Sequence, residues 1–377
     1  MGFDQKTEPL WRQYREEFPV TQNLVYLNHA AVAPLPRRSA AAMQGWAGDA
    51  LNFGSLHYDQ WLDAYEGVRV AAARLIGANR GEIALIKNTS EGISTVAQGL
   101  DWRPGDRIVA FREEFPANFY PWRRLEARRC YVEWLSVDDP LEKIELACTG
   151  ARLLAISFVQ YLSGFRADLK AIGRICKKRK CFFFVDAIQG LGAFPLDVEA
   201  AHIDALAADG HKWLLGPEGC GILYVRKSQQ DSIFPEEFGW TNVAAYNDYA
   251  SRDMALRQDA GRYECGTLNT IGCHGLRASI ELVLEAGVER IAPAVQSLAD
   301  QLAVGAAKKG YQLLGDRTPD NAAGIIAIQK PALDSRKVVH ELKQNGIIAA
   351  PRQGWVRLSP HFYISPEDID RVVEALP

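Results

Sequence analysis

No run of apolar residues in this 377-residue chain is long enough to cross a bilayer; segments such as LLAISFV and CFFFV are of strand length. No membrane partner is expected. The chain also lacks an opening in which a charged stretch precedes an apolar one. MGFDQKTEPLWRQYREEF is polar with a helical pattern, and the expectation is a cytoplasmic protein. An excess of base is missing too: 43 Lys and Arg stand against 46 Asp and Glu, a net charge of −3, which argues against nucleic acid as a partner. None of the seven cysteines (Cys130, Cys148, Cys176, Cys181, Cys220, Cys265, Cys273) belongs to a CxxC pair. Their odd number and scatter fit reduced thiols, so neither a disulfide framework nor a metal centre is expected. Finally, no GxGxxG follows a strand, since GPEGCG precedes one, and this excludes a Rossmann dehydrogenase.

What is present is a regular alternation. The apolar run Glu82–Lys87 precedes a helix starting near Ser90, and Arg107–Phe111 precedes a helix from Asn118 to about Arg128. Arg152–Val159 leads into a helix at Leu169–Lys178, and CFFFVD, DALAAD and GILYVR follow. Strands alternating with helices predict an α/β fold with a mostly parallel central sheet covered by helices on both faces. Ligands bind beyond the carboxyl ends of such strands, where Thr89, Phe115, Gln160, Asp186 and Lys212 all fall. After about Thr270 the pattern changes. Gly275–Ala307 reads as one or two helices, followed by short strands (GIIAIQ, WVRLSP) and helices at Ser335–Gln344 and Pro366–Leu376. The expected division is an N-terminal segment 1–22, a large cofactor-binding domain 23–274, and a small α+β C-terminal domain 275–377 entered through a long linking helix. NLVYLNHAAVAPLP reads as a short strand and a small-residue loop that lets backbone approach a ligand.

The chemistry concentrates in FFFVDAIQGLGAFPLDVEAAHIDALAADGHKWLLGPEGCGILYV. An apolar strand ending in Asp186 puts a carboxylate at the mouth of the sheet. Lys212, flanked by Asp209, Gly210, His211 and Trp213, is badly placed for an ordinary surface charge. The pair looks like the two poles of a pyridoxal 5′-phosphate site: a Schiff-base lysine and a partner for the pyridine nitrogen. Gln189 is a candidate donor to the cofactor's phenolic oxygen. Thr89 and Ser90, in NTSEG directly after a strand, offer hydroxyls and a helix N-terminus to a phosphate. His211 either reaches that phosphate or orients the lysine loop. Phe115 is placed to stack on the cofactor ring. Arg357, inside the short strand WVRLSP, is a candidate for a substrate carboxylate, with a structural ion pair as its alternative.

Together these segments resemble the class V aminotransferase family of fold-type I pyridoxal-phosphate enzymes. The resemblance runs from YLNHAAVAP through NTSEGI, EEFPANFYPW, VDAIQGLGAFPLDV and GHKWLLGPEGCGILYV to RYECGTLN and VRLSPHFY. Within the family the chain is similar to isopenicillin N epimerase-like and selenocysteine lyase/cysteine desulfurase-like proteins and to kynureninase. The resemblance implies that Lys212 carries the cofactor, Asp186 pairs the ring nitrogen and Gln189 meets the phenolate. It implies Thr89 and Ser90 at the phosphate, Phe115 on the ring and Arg357 on the substrate carboxylate. It also implies that Thr267 reaches the phosphate of a neighbouring subunit, hence a homodimer with its site at the interface. His29 and Asn28 fall in a loop that resembles a substrate-facing one, where His29 is either an acid–base group or a satisfied core or loop histidine.

Departures from the pattern matter. Gly346–Trp355 (GIIAAPRQGW) holds no cysteine where desulfurases of this kind carry a catalytic one, which argues against persulfide formation on the enzyme. Asp209 stands where many relatives have a hydroxyl, and either turns away or pairs with His211. The expected function is transamination of an α-amino acid, with epimerisation or β-elimination as alternatives. A pyridoxal-phosphate-binding regulator or idle scaffold is the non-enzyme alternative. An intact Lys212/Asp186 pair, and a resemblance that begins by Tyr26, argue against it.

Overall fold

The computed structural model describes residues 8–377. Among the described residues, thirteen strands form three sheets. The first strand is Val25–Tyr26 (β1). Seven more follow: Ile83–Ile86 (β2), Arg107–Phe111 (β3), Tyr131–Leu135 (β4), Leu153–Ser157 (β5), Phe182–Asp186 (β6), Ala205–Asp209 (β7) and Gly221–Val225 (β8). The last five are Gln312–Leu313 (β9), Ile326–Gln329 (β10), Ile347–Ile348 (β11), Ala350–Arg352 (β12) and Trp355–Leu358 (β13).

The central sheet has the order β2-β8-β7-β6-β5-β3-β4. β8 is antiparallel to both its neighbours and every other pairing is parallel, so β8 alone runs against the rest. The α/β expectation with a mostly parallel sheet is met. Alternation along the strands explains why these runs are apolar throughout. Leu85, Val109, Leu154, Phe183, Val185, Leu206 and Tyr224 enter one core, while Ala84, Ile108, Leu153, Phe184, Ala207 and Leu223 enter the other. Both faces are therefore covered, and buried polar residues appear only at the carboxyl ends, as at Ser157, Asp186 and Asp209.

Two crossover helices start at a side-chain cap. Asn88 accepts from the Glu91 backbone N–H to start the helix Thr89–Gly99, and Asp168 does the same for Leu169–Arg179 through Ala171. The helix expected over Asn118–Arg128 is broken up: an α-helical turn spans Tyr120–Arg124 with 3-10 turns on either side. Pro121 has no N–H to give and is tolerated only in a first turn, so the α-helix cannot start earlier. Near the start of the chain, an α-helix covers only Leu10–Tyr14 before 3-10 turns take over at Arg15 and Pro19; residues 1–7 of that expectation lie outside the described residues.

The amphipathic stretch after Thr270 is two helices, Thr270–Ala286 and Val288–Lys308. Gly287, at a φ of 81°, separates them, a conformation costly for any residue with a Cβ. The expected boundary at 274/275 falls inside the first of these helices. β12-β13-β10-β9 make a small antiparallel sheet beyond it. The two ends of the chain meet: β1 pairs in parallel with β11, and Asn28 bridges to Ser359. Two long helices, Arg37–Phe53 and Tyr58–Ile76, have no counterpart in the expectations above. No helix among the described residues is long and apolar enough to cross a membrane.

Candidate active site

Because only β8 is reversed, the carboxyl ends of β2, β3, β5, β6 and β7 open at one edge of the sheet. A cavity of about 320 Å³ lies there, lined among others by Thr89, Ser90, Phe115, Asp186, Gln189, Asp209, His211, Lys212 and Arg357. Chain segments far apart in sequence thus deliver charges to one small volume.

The lysine sits on a tight, closed loop between β7 and β8. Gly210 N–H donates to the Cys220 carbonyl (2.9 Å), Gly216 N–H to the Gly210 carbonyl (2.8 Å), and Leu215 N–H to the Lys212 carbonyl (3.1 Å). Leu215 is fully buried at a φ of 60°, an uncommon conformation for a leucine that surrounding packing must hold. Ser279 anchors its carbonyl from the helix behind. Burial lowers the Lys212 pKa to about 8, opposed by Asp186 and helped by the nearby Arg357. A lysine so placed gives up its proton far more readily than one in water.

Asp186 ends β6 and is almost completely buried. One oxygen accepts from the Ile188 N–H (3.1 Å). Burial raises its pKa to about 6, with the Ile188 N–H and Lys212 acting the other way. At neutral pH it is largely ionised, with lone pairs left to accept a proton donor from the cavity.

Asp209 turns back on its own loop. It accepts from the Gly210 N–H (2.7 Å), and its other oxygen lies 2.9 Å from His211 Nδ1, close but poorly aligned for a hydrogen bond. Its own N–H donates to Thr89 Oγ1 (3.0 Å), which ties the loop to the start of the helix Thr89–Gly99. Asn88 satisfies Glu91 there, so the N–H groups of Thr89 and Ser90 have no intrahelical partner. That end of the cavity suits an anion.

Gln189 is oriented by its partners: Oε1 accepts from Trp213 Nε1 (2.9 Å) and Nε2 donates to the Ala30 carbonyl (3.0 Å). One N–H of its amide is left for the cavity. Phe115, 45% exposed, roofs the site with its ring centroid 5.6 Å from Lys212 Nζ, and Tyr161 meets it edge-on.

Arg357 is buried at the opposite wall. One Nη donates to the Tyr161 carbonyl (2.8 Å), while its buried Nε has no partner. No carboxylate of the described residues lies within ion-pairing distance of it, so the ion-pair alternative does not apply. Burial pulls its pKa down to about 10, and the neighbouring Arg352 adds to this. A desolvated cation without a counter-charge is costly unless an anion arrives from outside.

Two residues expected to face the substrate, His29 and Asn28, are not brought into this cavity, and Thr267, expected to serve a neighbouring subunit, also lies outside it. His29 is completely buried: Nδ1 donates to the Ser359 carbonyl (2.7 Å) and Nε2 accepts from the Tyr363 hydroxyl (2.6 Å). Both nitrogens are used, and burial lowers its pKa to about 4, so it is a neutral core histidine rather than a substrate-facing group. Asn28 lies outside the lining, although its buried Oδ1 has no partner. Thr267 is exposed in a separate hollow with Lys87, Glu91 and Cys265.

Two residues go beyond the sequence reading. Arg352 lines the cavity, two turn residues before the strand that carries Arg357. Glu114 is buried just before Phe115; it accepts from the Ser157 N–H (2.7 Å), from Ser157 Oγ and from Gln160 Nε2 (3.1 Å). An acid between a strand end and an aromatic, as in EEFP, is the only signal the sequence offered for it.

The matched family model is Aminotransferase class-V, over residues 25–372. The chain belongs to this family. It is 29% identical to the uncharacterized aminotransferase YcbU of Bacillus subtilis, over 98% of both chains. It is 31% identical to a probable cysteine desulfurase of Methanothermobacter thermautotrophicus, over 96% of both. Among solved structures, a cysteine desulfurase from Thermococcus onnurineus NA1 superposes with a TM-score of 0.90 at 28% identity, covering 96% of each chain. The fold is fold-type I and the family's cofactor is pyridoxal phosphate. The cavity fits that group: unpaired N–H groups at one end, an ionised buried acid at the other, a low-pKa lysine between them and an aromatic roof.

Glu114 yields a pH-dependent prediction. Burial raises its pKa to about 7 from 4.5, against the Ser157 hydrogen bonds. Its folded-state pKa lies above its unfolded one, so its stabilisation is complete below pH 4.5 and lost as pH rises through about 7. Urea denaturation at pH 5 and pH 8 should show wild type losing up to about 3 kcal/mol relative to Glu114→Gln. Equal pH dependence of the two proteins would contradict this assignment.

Proposed function

We propose that this chain is a pyridoxal-phosphate enzyme that transaminates a free α-amino acid. The observation that carries the reading is Arg357, a buried arginine without a carboxylate partner, facing the same cavity as Lys212 and Asp186. Pyridoxal phosphate, when bound, supplies an aldehyde that condenses with amines and a ring that draws electrons from the bonds at Cα.

The residues divide the remaining work. Lys212 would hold the cofactor through its amine, and the same amine, of lowered pKa, would serve as the base for the substrate's Cα proton. Asp186 would keep a proton on the pyridine nitrogen, and the second Nε2–H of Gln189 would be free for the phenolic oxygen. Thr89 and Ser90 hold the phosphate through N–H and hydroxyl groups, with His211 on the same loop as the lysine. Phe115, which faces Lys212 across the cavity, would pack against the cofactor ring. Arg357 takes the substrate carboxylate as a planar, bidentate pair, which fixes the Cα–H bond relative to Lys212.

Transamination is favoured over enzyme-persulfide chemistry by composition: none of the cavity-lining residues is a cysteine. A second reading, β-elimination, is supported by relatives named cysteine desulfurase or probable cysteine desulfurase, and in this chain it would proceed without a cysteine in the cavity lining. Purified protein incubated with single L-amino acids separates them. Transamination gives keto acid in an amount matching the protein, no ammonia or sulfide, and renewed turnover when a second keto acid is added. Ammonia or sulfide released with every turnover would establish elimination instead. Arg357→Gln should lower kcat/KM by roughly 30- to 5,000-fold, the cost of about 2–5 kcal/mol for losing one partner of a buried charge pair.

We also propose a cytoplasmic homodimer. The hairpin of Arg37–Phe53 and Tyr58–Ile76 exposes Leu51 (83%), Leu56 (73%), Phe53 and Tyr58, an apolar patch unusual on a free surface. Thr267, outside its own chain's cavity, is then available to a partner's phosphate. Light scattering should give twice the chain mass, and Leu51→Glu with Leu56→Glu should give the single-chain mass; a monomeric wild type would remove this part of the reading.

A further inference from the structure

The opposite edge of the same sheet carries a second cluster of reactive side chains. Cys148 closes the helix Leu141–Cys148, Cys176 lies in the last turn of Leu169–Arg179, and Cys181 immediately precedes β6. Their three Sγ atoms all lie within 4.8 Å of one another, and all three residues are buried. Lys180 takes a left-handed φ of 55°, and Cys181 N–H donates to the Cys176 carbonyl (2.9 Å). That turn folds Cys181 back over Cys176, so a pair five residues apart becomes adjacent. The packing of the two helices brings in Cys148 from 28 positions upstream of Cys176. No spacing motif records such a site, because the third sulfur arrives by topology.

We propose that Cys148, Cys176 and Cys181 form a three-thiolate site for one soft, thiophilic d10 cation of the Cu(I), Zn(II) or Cd(II) class. Metal–sulfur bonds of about 2.3 Å in a trigonal arrangement put sulfurs roughly 4.0 Å apart, a spacing the cluster reaches with small side-chain adjustments. The donor set holds no imidazole or carboxylate, which selects soft cations over hard ones. An approach exists: Cys176 and Cys181 line a cavity of about 800 Å³ together with Arg152, Arg179, Lys180 and His202. Binding releases the thiol protons to solvent and leaves net negative charge at the sulfurs. Two guanidinium groups lie nearby, each also paired with a carboxylate, Arg107 with Glu133 (3.0 Å) and Arg179 with Glu145 (2.8 Å). Arg107 donates to the carbonyl of Thr149, next to Cys148, and the buried Nε of Arg179 has no partner. Cys220 and Cys273, with sulfurs 3.6 Å apart, lack a third thiol and serve as an internal control.

The cation would pin two helices to the amino end of β6, the strand whose carboxyl end is Asp186, without entering the active-site cavity. The test titrates reduced, cofactor-loaded protein with Cd(II) under anaerobic conditions. Thiolate-to-metal absorption is followed in the ultraviolet, and bound metal is counted after gel filtration. The proposal expects one Cd(II) per chain, an upward shift of Tm on binding, and at least tenfold weaker binding in Cys148→Ser and in Cys176→Ser. Cys181→Ala, tested in the same way, covers the case in which either serine variant does not fold. The Cys220→Ser/Cys273→Ser double variant should bind as wild type does. Absence of a stoichiometric band, unchanged binding in folded triad variants, or loss of binding in the Cys220/Cys273 control would each overturn the assignment. So would a disulfide within the triad in protein kept reduced during purification.

Discussion

Taking a lysine out of water at the carboxyl edge of a parallel sheet is the constraint on which the rest of this structure depends. An ammonium in that position is disfavoured by burial and by Arg357, and retained only through Asp186 and Asp209. The balance leaves Lys212 with a pKa of about 8, close enough to neutrality to act as nucleophile and base. The same burial raises Asp186 and lowers Arg357. None of the three is at rest in the way a solvated side chain would be. An anionic, amine-accepting ligand relieves all of them together, which is why their joint presence argues for function where each alone would not.

Holding that arrangement falls to contacts remote from the cavity. The lysine loop is closed by backbone hydrogen bonds onto the reversed strand β8, and Trp213, fully buried, links it through Gln189 to the loop at Ala30. Ala33 N–H donates to the His211 carbonyl (2.7 Å). The N-terminal loop is in turn fixed to the C-terminal region by β1–β11 and by His29, whose two nitrogens bind Ser359 and Tyr363. Arg357 enters from that same region. His29 thus serves the site by joining the pieces that carry Arg357 and Lys212, without touching the cavity.

Much of this was legible in the sequence because local rules and tertiary structure agree there. The strands Arg107–Phe111, Phe182–Asp186 and Gly221–Val225 are unbroken apolar runs because both faces are covered, and Ser335–Gln344 matches its helix residue for residue. Other features escaped for definite reasons. The helix Tyr58–Ile76 buries a stripe rich in alanine (Ala64, Ala71, Ala72), which carries little hydrophobic contrast, while its exposed face keeps Val70. β4 has only Leu135 fully buried, as an edge strand should, and so lacks a clear apolar signature. His29 was legible as a polar group near the site, but its solvent access depended on a strand pairing more than 300 residues away. The cysteine triad was invisible for the same reason, since its sulfurs meet only when two helices pack.

The central claim is that Lys212 is the residue bonded to the cofactor. Borohydride treatment of the protein loaded with pyridoxal phosphate converts the lysine–aldehyde linkage to a stable secondary amine, and peptide mass spectrometry then locates it. A single pyridoxyl adduct on Lys212, absent from Lys212→Ala, is the result expected. An adduct spread over surface lysines, or no adduct in protein saturated with the cofactor, would contradict the assignment of this cavity as the active site.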